Sequence, residues 1–510
     1  MEAKEKNKRH IPGRFIVAMS LIILETALVL GVVIWCTFRV PYFYLAVIVT
    51  QIYCVLKIIN SEENPDYKVP WLLFVIVVPV IGFMIYIMFY DRKLSKTLSQ
   101  RLAKVFSQKV KAGNGAMENL EKENKAAFLN AKLLCKLSGT NLYQNTKAEY
   151  FDMGEKMFER MLEDLKHAEK FIFMEYFIVQ EGKFWNSILD ILKEKAAKGV
   201  DVRVVYDDIG CMTTLPGDYY KTLQSYGIKS VPFQKLRGQA NNDFNNRSHR
   251  KILVIDGKVG YTGGVNIADE YINEIERFGV WKDVGIRLKG EAVTQLTSMC
   301  LCGYEVNVTT PVPDFEPYFA EHSSVKDDGY MVPFGDGPRP IFEQQIAKTM
   351  IMNMLAQATE YVYMMSPYLI IDNELCQAIE NAAMRGIDVC LITPHIPDKK
   401  MVFKMTRSHY HRLMEAGVKV YEYEPGFVHA KVYLSDDSTA IVGTINLDYR
   451  SLVHHFENGI WLYKHEVLKE IKQDFENTMK ESIKMNEVLI EETLTDRFVR
   501  AVVKTISPML

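Results

Sequence analysis

Two stretches of this chain carry one skeleton. SHRKILVIDG (248–257) holds His249, Lys251 and Asp256, and VHAKVYLSDD (428–437) holds His429, Lys431 and Asp436. The members of each pair stand 180 positions apart, and so do Gly263 and Gly443, and Asn266 and Asn446. The register then slips by six, so that KDVGIRL (282–288) aligns with FENGIWL (456–462) and Asp283 falls opposite Glu457. A lone His-x-Lys-x4-Asp is a weak signal, but two in register, each followed by Gly and Asn at fixed offsets, mark an internal duplication. The chain must therefore fold as two related halves.

The flanking residues predict what each half is made of. EKMFERMLEDLKHAEK has helical spacing of apolar residues, and KFIFMEYFIV follows as a buried strand. WNSILDILKEKAAKGV reads as a helix and DVRVVYDD as the next strand. IFEQQIAKTMIMNMLAQATE, YVYMMSPYLI, NELCQAIENAAMRGI and DVCLITP repeat that order. The expectation is α/β, a first half over 146–310 and a second over 311–490, with mostly buried strands. The amphipathic tail 491–510 rests either on a membrane surface or on the domain.

Apolar residues crowd the N-terminus. Residues 15–38 and 69–90 are each long enough to cross a bilayer, and 41–59 is a shorter run broken by Gln51 and Lys57. They are too long and too many for a cleaved signal peptide. Basic residues flank both ends of the region, Lys4 to Arg14 before and Arg92 to Lys104 after. Both flanks then favour the cytoplasmic side, which requires an even number of crossings. The simplest topology has two spans, with 41–59 re-entrant or interfacial, and three spans as the alternative. Glu25 is either functional or paired with a neighbouring helix, and Pro79 kinks its helix. This makes 1–93 a membrane anchor and 94–145 a basic helical linker. It places the protein in the cell membrane, multi-pass, with its catalytic part on the cytoplasmic side.

A strand such as KILVI alternates its side chains, so His249 and Lys251 share a face, as do His429 and Lys431. If the halves pack about a pseudo-twofold axis, two imidazoles and two ammonium groups meet in one cleft. That set suits a phosphodiester, whose negative charge grows as a nucleophile nears phosphorus. Lys251, Lys431, Asn266 and Asn446 would hold its oxygens, doing what a metal does elsewhere. One neutral imidazole attacks and becomes a phosphohistidine, while the other, protonated, serves the leaving alkoxide and then deprotonates the acceptor. A carboxylate behind each ring fixes its tautomer, and Asp283 and Glu457 are the candidates.

On these residues the chain resembles the phospholipase D superfamily over roughly 146–490. More narrowly it resembles bacterial membrane-bound cardiolipin synthases, through FNNRSHRKILVIDGKVGYTGGVNIADEY, YEYEPGFVHAKVYLSDDSTAIVGTINLDYRS, the N-terminal run ending VPWLLFVIVVPVIGFMIYIMFYDRKL, and the terminal ISPML. The resemblance implies duplicated phospholipase D-like α/β sandwich domains with a pseudo-twofold active site, preceded by N-terminal transmembrane helices. It also implies transfer of a phosphatidyl group from one phosphatidylglycerol to another with release of glycerol, with no cofactor and no metal. His249 would be the nucleophile and His429 the acid/base, and near-symmetry leaves the reverse open. Asp256 and Asp436, counted with the catalytic motif, would be structural hydrogen-bonders more than proton carriers. One departure is Gly443-Thr444 where the first copy has Gly263-Gly264; Thr444 either adds a phosphate hydrogen bond or does nothing.

Other features have plainer readings. The 61 basic and 63 acidic residues give no reason to expect a nucleic-acid partner, which speaks against a nuclease with the same histidines. Two intact motifs speak against an inactive scaffold. A phospholipase D that passes the group to water is not separable by motif, because acceptor choice depends on pocket shape. The eight scattered cysteines read as free thiols. Asn266 and Asn446 alternatively cap helices, Asp207 and Asp208 form a turn or line a cleft, and Glu175 is paired inside. His454-His455 and His409/His411 read as ordinary polar contacts.

Overall fold

A computed structural model describes residues 42–78, 96–106, 115–235, 245–320 and 325–488, with scattered positions between 20 and 110 and Thr505. The tail 491–510 apart from Thr505, the basic flank before residue 15, Glu25 and Pro79 lie outside the described residues.

Each half is built on one mixed sheet. The first half contributes β1 (Thr146–Phe151), β2 (Phe171–Tyr176), β3 (Asp201–Asp207), β4 (Lys229–Phe233), β5 (Lys251–Ile255), β6 (Val259–Gly263), β7 (Val280–Lys282) and β8 (Gly285–Gly290). Its sheet has the order β1-β8-β6-β5-β2-β3-β4. Strands β2, β3 and β4 are parallel, and the rest pair antiparallel.

The second half contributes β9 (Tyr330–Asp336), β10 (Tyr361–Met365), β11 (Leu369–Ile370), β12 (Asp388–Pro394), β13 (Lys419–Tyr423), β14 (Gly426–Val428), β15 (Val432–Ser435), β16 (Thr439–Gly443), β17 (Leu447–Asp448), β18 (Glu457–Tyr463) and β19 (Ser482–Lys484). Its sheet runs β19-β13-β12-β10-β15-β16-β18-β9. Without the edge strand β19 this is the first order again, with β15 in the place of β5 and β18 in the place of β8. The duplication expected from the 180-residue offset is therefore a duplication of topology.

Every residue of β2 and β5 is buried, as expected of strands covered on both faces. The helix Gly154–Lys166 covers one side of the first sheet with Met157, Phe158, Met161 and Leu165. The helix Val293–Glu305 is buried nearly all round and contributes Leu296 and Leu301 to a core shared with Val432, Leu434 and Ile460 of the second half. At about 1.5–3 kcal/mol for each such side chain fully buried, this shared core holds the halves as one unit. The halves are also stitched by backbone: β7 pairs in parallel with β14, and Ser248 bridges Phe456. All eight cysteines are free.

The linker is helical as expected, over Lys96–Phe106, Ala116–Glu123 and Lys125–Ser138. The membrane spans need correction. Among the described residues no helix is long and apolar enough to cross a membrane. The run 15–38 lies mostly outside the described residues. In the run 69–90, the helix Pro65–Val77 stops just before Pro79, a residue that lacks the amide proton and crowds the preceding turn. The ring of Tyr86 then packs against that of Trp71, 6.0 Å between centroids. The helices Phe43–Ile59 and Pro65–Val77 form a hairpin whose turn sits on the second half. There Asn64 Nδ2 donates to Asp372 Oδ2 (2.8 Å), and the Asn373 amide donates to Asp66 Oδ2 (2.6 Å).

Candidate active site

The two motifs meet where the halves are stitched. Lys251 is the first residue of β5, and His249 lies two residues before it in extended chain held by the Ser248–Phe456 bridge. The His249 amide donates to Phe456 O (2.9 Å), and the His429 amide donates to Lys282 O (2.7 Å). Each histidine is thus pinned beside the residue that precedes the other half's acid. The result is a crossed pairing. His249 Nδ1 lies 2.9 Å from both Glu457 carboxylate oxygens, and His429 Nδ1 lies 2.6 Å from Asp283 Oδ2. Both acids were expected to back an imidazole. The exchange between halves means that neither half completes a site alone.

With Nδ1 of each ring occupied by a carboxylate, Nε2 is the nitrogen left for chemistry. Lys251 Nζ donates to the His249 carbonyl (2.6 Å) and Lys431 Nζ donates to that of His429. Lys431 Nζ also lies 2.9 Å from His429 Nδ1. His249 and His429 retain only 7% and 8% of their exposure, and both lysines and both acids are fully buried.

Burial sets the electrostatics. It holds the His249 ring well below the usual imidazole range, and Lys251, Lys431 and His429 reinforce it. His429 is lowered in the same way, by burial and then by Lys431 and Lys251. Each motif therefore feels the other's charges, as groups of one site do. Burial lowers Lys251 to about 7 and Lys431 to about 8, and raises Asp283 and Glu457 to about 7 each. Two cations and two carboxylates so balanced give neutral imidazoles and room for one added anion.

The remaining expected residues divide. Asp256 and Asp436 do not join the cluster. Asp256 sits past the far end of β5, about 16 Å along the strand from Lys251. Its carboxylate accepts from the amides of Glu169, Lys170 and Phe171 (2.7–2.9 Å). Asp436 accepts from Thr359, Glu360 and Tyr361 in the same way. Both take positive φ, 53° and 52°, so these aspartates close turns and anchor neighbouring strands. Asn266 is bound internally: its Oδ1 accepts from the Ile178 amide (3.0 Å) and its Nδ2 donates to the Tyr271 hydroxyl (2.8 Å). Asn446 Oδ1 is buried with no hydrogen-bond partner, which leaves it free to meet a ligand.

Thr444 has a different task from the one expected. Its hydroxyl donates to Glu457 Oε2, and Ser451 Oγ donates to Glu457 Oε1 (2.6 Å). At the matching place in the first half, a Cβ on Gly264 would collide with Asp283 Oδ1. The pairs Gly264–Asp283 and Thr444–Glu457 are thus two ways to seat a carboxylate. Glu175, expected to be paired inside, and Asp207, expected in a turn or cleft, brace the first motif. Ser248 Oγ donates to Glu175 Oε1 (2.5 Å), and Asp207 accepts from Arg247 Nε and the Ser248 amide (3.0–3.1 Å).

Sequence reasoning missed the rings around the histidines. His429 is surrounded by Tyr271 (5.3 Å), Trp281 (5.6 Å) and Phe427 (5.9 Å). His249 has Phe177 (5.0 Å) and His455 (5.5 Å). A signal existed in the offset of 174 that aligns Asp283 with Glu457, since it also aligns Trp281 with His455.

Comparison with known proteins agrees with this geometry. Residues 161–283 and 351–479 match the family described as "Cardiolipin synthase, PLD-like domain", and residues 49–89 match "Phospholipase_D-nuclease N-terminal". A protein named cardiolipin synthase from Halalkalibacterium halodurans is 33% identical over 91% of this chain and 92% of its own length. Cardiolipin synthase 2 of Bacillus cereus is 34% identical over 90% and 89%. An uncharacterized protein of Streptococcus mutans is 40% identical over 89% and 99%. The crystal structure of a phosphatidylserine synthase from Haemophilus influenzae shares the fold, with a TM-score of 0.57 at 16% identity over 76% of this chain and 98% of that one. Paired motifs, crossed acids and near full-length similarity together place this chain in the cardiolipin synthase family of phospholipase D-like proteins.

Proposed function

We propose that this protein is a cardiolipin synthase that works through a phosphohistidine, with phosphatidylglycerol as both donor and acceptor. The observation that carries the reading is the crossed pairing of two buried imidazoles with Glu457 and Asp283 beside two buried lysines.

In the first step His249 Nε2 attacks the phosphorus of one phosphatidylglycerol. The phosphorus–oxygen bond to glycerol breaks, and His429, which carries a proton once the bound phosphodiester adds its negative charge to the site, gives that proton to the departing oxygen. Lys251 and Lys431 offset the charge that builds on the phosphoryl oxygens, and Asn446, whose Oδ1 has no hydrogen-bond partner, serves as a substrate-binding residue. In the second step His429, now neutral, takes the proton from a glycerol hydroxyl of the second phosphatidylglycerol as that oxygen attacks phosphorus. The phosphorus–nitrogen bond breaks and cardiolipin leaves. One ring cannot be the electrophile's partner and the proton carrier at once, so the scheme needs two.

The order of roles is taken from the resemblance, since burial lowers both rings alike. Support for a lipid setting comes from the N-terminal helices, where Leu45, Val49, Ile52, Leu56 and Ile59 are exposed along one helix and Val69, Leu73 and Ile76 along the next. An apolar face of that extent fits acyl chains better than water. The anchor 1–93, the linker 94–145 and the two halves keep the bounds given above, with the halves on the cytoplasmic side.

The test supplies purified protein with phosphatidylglycerol and a chelator. Cardiolipin and glycerol in equal amounts are expected, and phosphatidic acid as the main product would make the protein a hydrolase. Sedimentation of the full chain with anionic vesicles, and loss of that binding in Val49→Asp/Leu56→Asp, tests the membrane setting.

A further inference from the structure

His455 lies outside the scheme above, yet it stands in the site. Its ring centroid is 5.5 Å from that of His249, and its Nδ1 is 3.8 Å from Glu457 Oε1. The His455 amide donates to Arg450 O (2.9 Å), which fixes the residue at the end of the turn Arg450–His454. His249, His455 and Glu457 each offer one ligand atom, and these atoms all lie within 4.8 Å of one another. Two imidazoles and a carboxylate form a three-donor set that zinc takes where a fourth position stays open.

We propose that His249, His455 and Glu457 bind a borderline divalent cation, zinc above all, and that this ion switches the enzyme off. Tetrahedral zinc with these donors sets them about 3.4 Å apart. The His249–Glu457 distance of 2.9 Å and the His455–Glu457 distance of 3.8 Å bracket that value, so small side-chain rotations close the shell. Glu457 and Asp283 offset the charges of Lys251 and Lys431 nearby.

Inhibition follows from the tautomer. In the working site Nδ1 of His249 carries the proton and faces Glu457, so Nε2 keeps its lone pair. A metal bound at Nδ1 takes that nitrogen's lone pair and moves the proton to Nε2. The nitrogen that attacks phosphorus then has no electron pair to give. No oxidant or further reactant is involved, and removal of the ion restores the first tautomer.

The other half cannot do this. The residue two before its acid is Trp281, which sits 5.6 Å from His429 and offers an indole in place of an imidazole. The near-symmetric cleft therefore binds metal on one side only, at the proposed nucleophile.

The test uses the full chain in detergent and His455→Phe, an aromatic substitution of the kind Trp281 already shows the fold accepts. Cobalt(II) absorption, read without lipid, is expected to give one tetrahedral ion per wild-type chain and none in His455→Phe. Zinc is expected to inhibit cardiolipin formation by the wild type, reversibly with a chelator. Half-inhibition of His455→Phe, measured against its own metal-free rate, is expected to need at least about tenfold more zinc. Equal ion binding by the two proteins, or no binding by the wild type, overturns the proposal, as does equal zinc sensitivity. His455→Gln serves if the phenylalanine variant does not fold. The inhibition arm rests on the phosphatidyl-transfer reading. The cobalt arm does not, so a protein that binds cobalt but makes no cardiolipin separates the two failures.

Discussion

The two halves share a sheet order, a His-x-Lys pair and an exchanged acid, but they surround their histidines differently. His249 has Phe177 and His455 beside it, and its acid Glu457 is held by Thr444 and Ser451. His429 lies among Tyr271, Trp281 and Phe427, and its acid Asp283 fits against the bare Gly264. The difference teaches how a duplicated scaffold divides labour. Aromatic rings enclose one imidazole, whereas the other stands beside a second imidazole and is turned by a firmly seated glutamate.

The largest effects come from removing either ring. His249→Asn is expected to lose at least about 10⁴-fold in kcat and to form no covalent adduct with radiolabelled lipid. His429→Asn is expected to lose about 10²–10⁴-fold, while still forming adduct from a substrate whose leaving group needs no proton. An adduct in the first variant and none in the second would reverse the roles of the halves.

The acids come next. Glu457→Gln and Asp283→Asn keep the shape and remove the charge that fixes each tautomer, and each is expected to cost about 10²–10⁴-fold in kcat. Adduct formation from the activated substrate should survive Asp283→Asn and fail in Glu457→Gln. If both survive, the acids do not act on opposite histidines. A smaller effect is expected of the residues that seat them. Thr444→Val removes one hydrogen bond to Glu457 and should cost about tenfold. Gly264→Ala pushes a methyl against Asp283 and should cost more.

The pH profile depends on both halves together. Lys251 near 7 and Lys431 near 8 lose their charge as pH rises, and only the ammonium form attracts a phosphodiester. The value of kcat/KM should therefore fall as pH rises through about 7 to 8. A bound anion favours the charged amine, so kcat should hold to higher pH than kcat/KM. Superimposable profiles would mean that the lysines do not touch the substrate. Smallest of all is the change in chemistry from Asp256→Asn. It weakens three backbone hydrogen bonds and should lower stability by about 1–3 kcal/mol, seen as a reduced Tm, with kcat of the folded protein unchanged.

Much of the site was legible because chemistry-bearing residues recur at a fixed interval. The offset of 180 singled out His249, Lys251, His429 and Lys431, and the later offset of 174 singled out Asp283 and Glu457. Asp256 and Asp436 recur as faithfully as the histidines and, as the resemblance implies, act as structural hydrogen-bonders, in the turns after β5 and β15. Repetition reports that a residue is needed in both halves, whether for catalysis or for folding. The apolar runs were legible as hydropathy, which measures length and not helix continuity, and among the described residues no helix is long and apolar enough to cross a membrane.

By itself the sequence determined the duplication, the α/β class of each half and the identity of the six central groups, since all of these are properties of order along the chain. Which acid serves which ring, the rings that enclose His429, and the arrival of His455 beside His249 were decided only by the tertiary structure. The two crossed acid pairs join residues 208 and 146 positions apart. No periodicity encodes them, because the parallel pairing of β7 with β14 and the packing of a shared core bring them about.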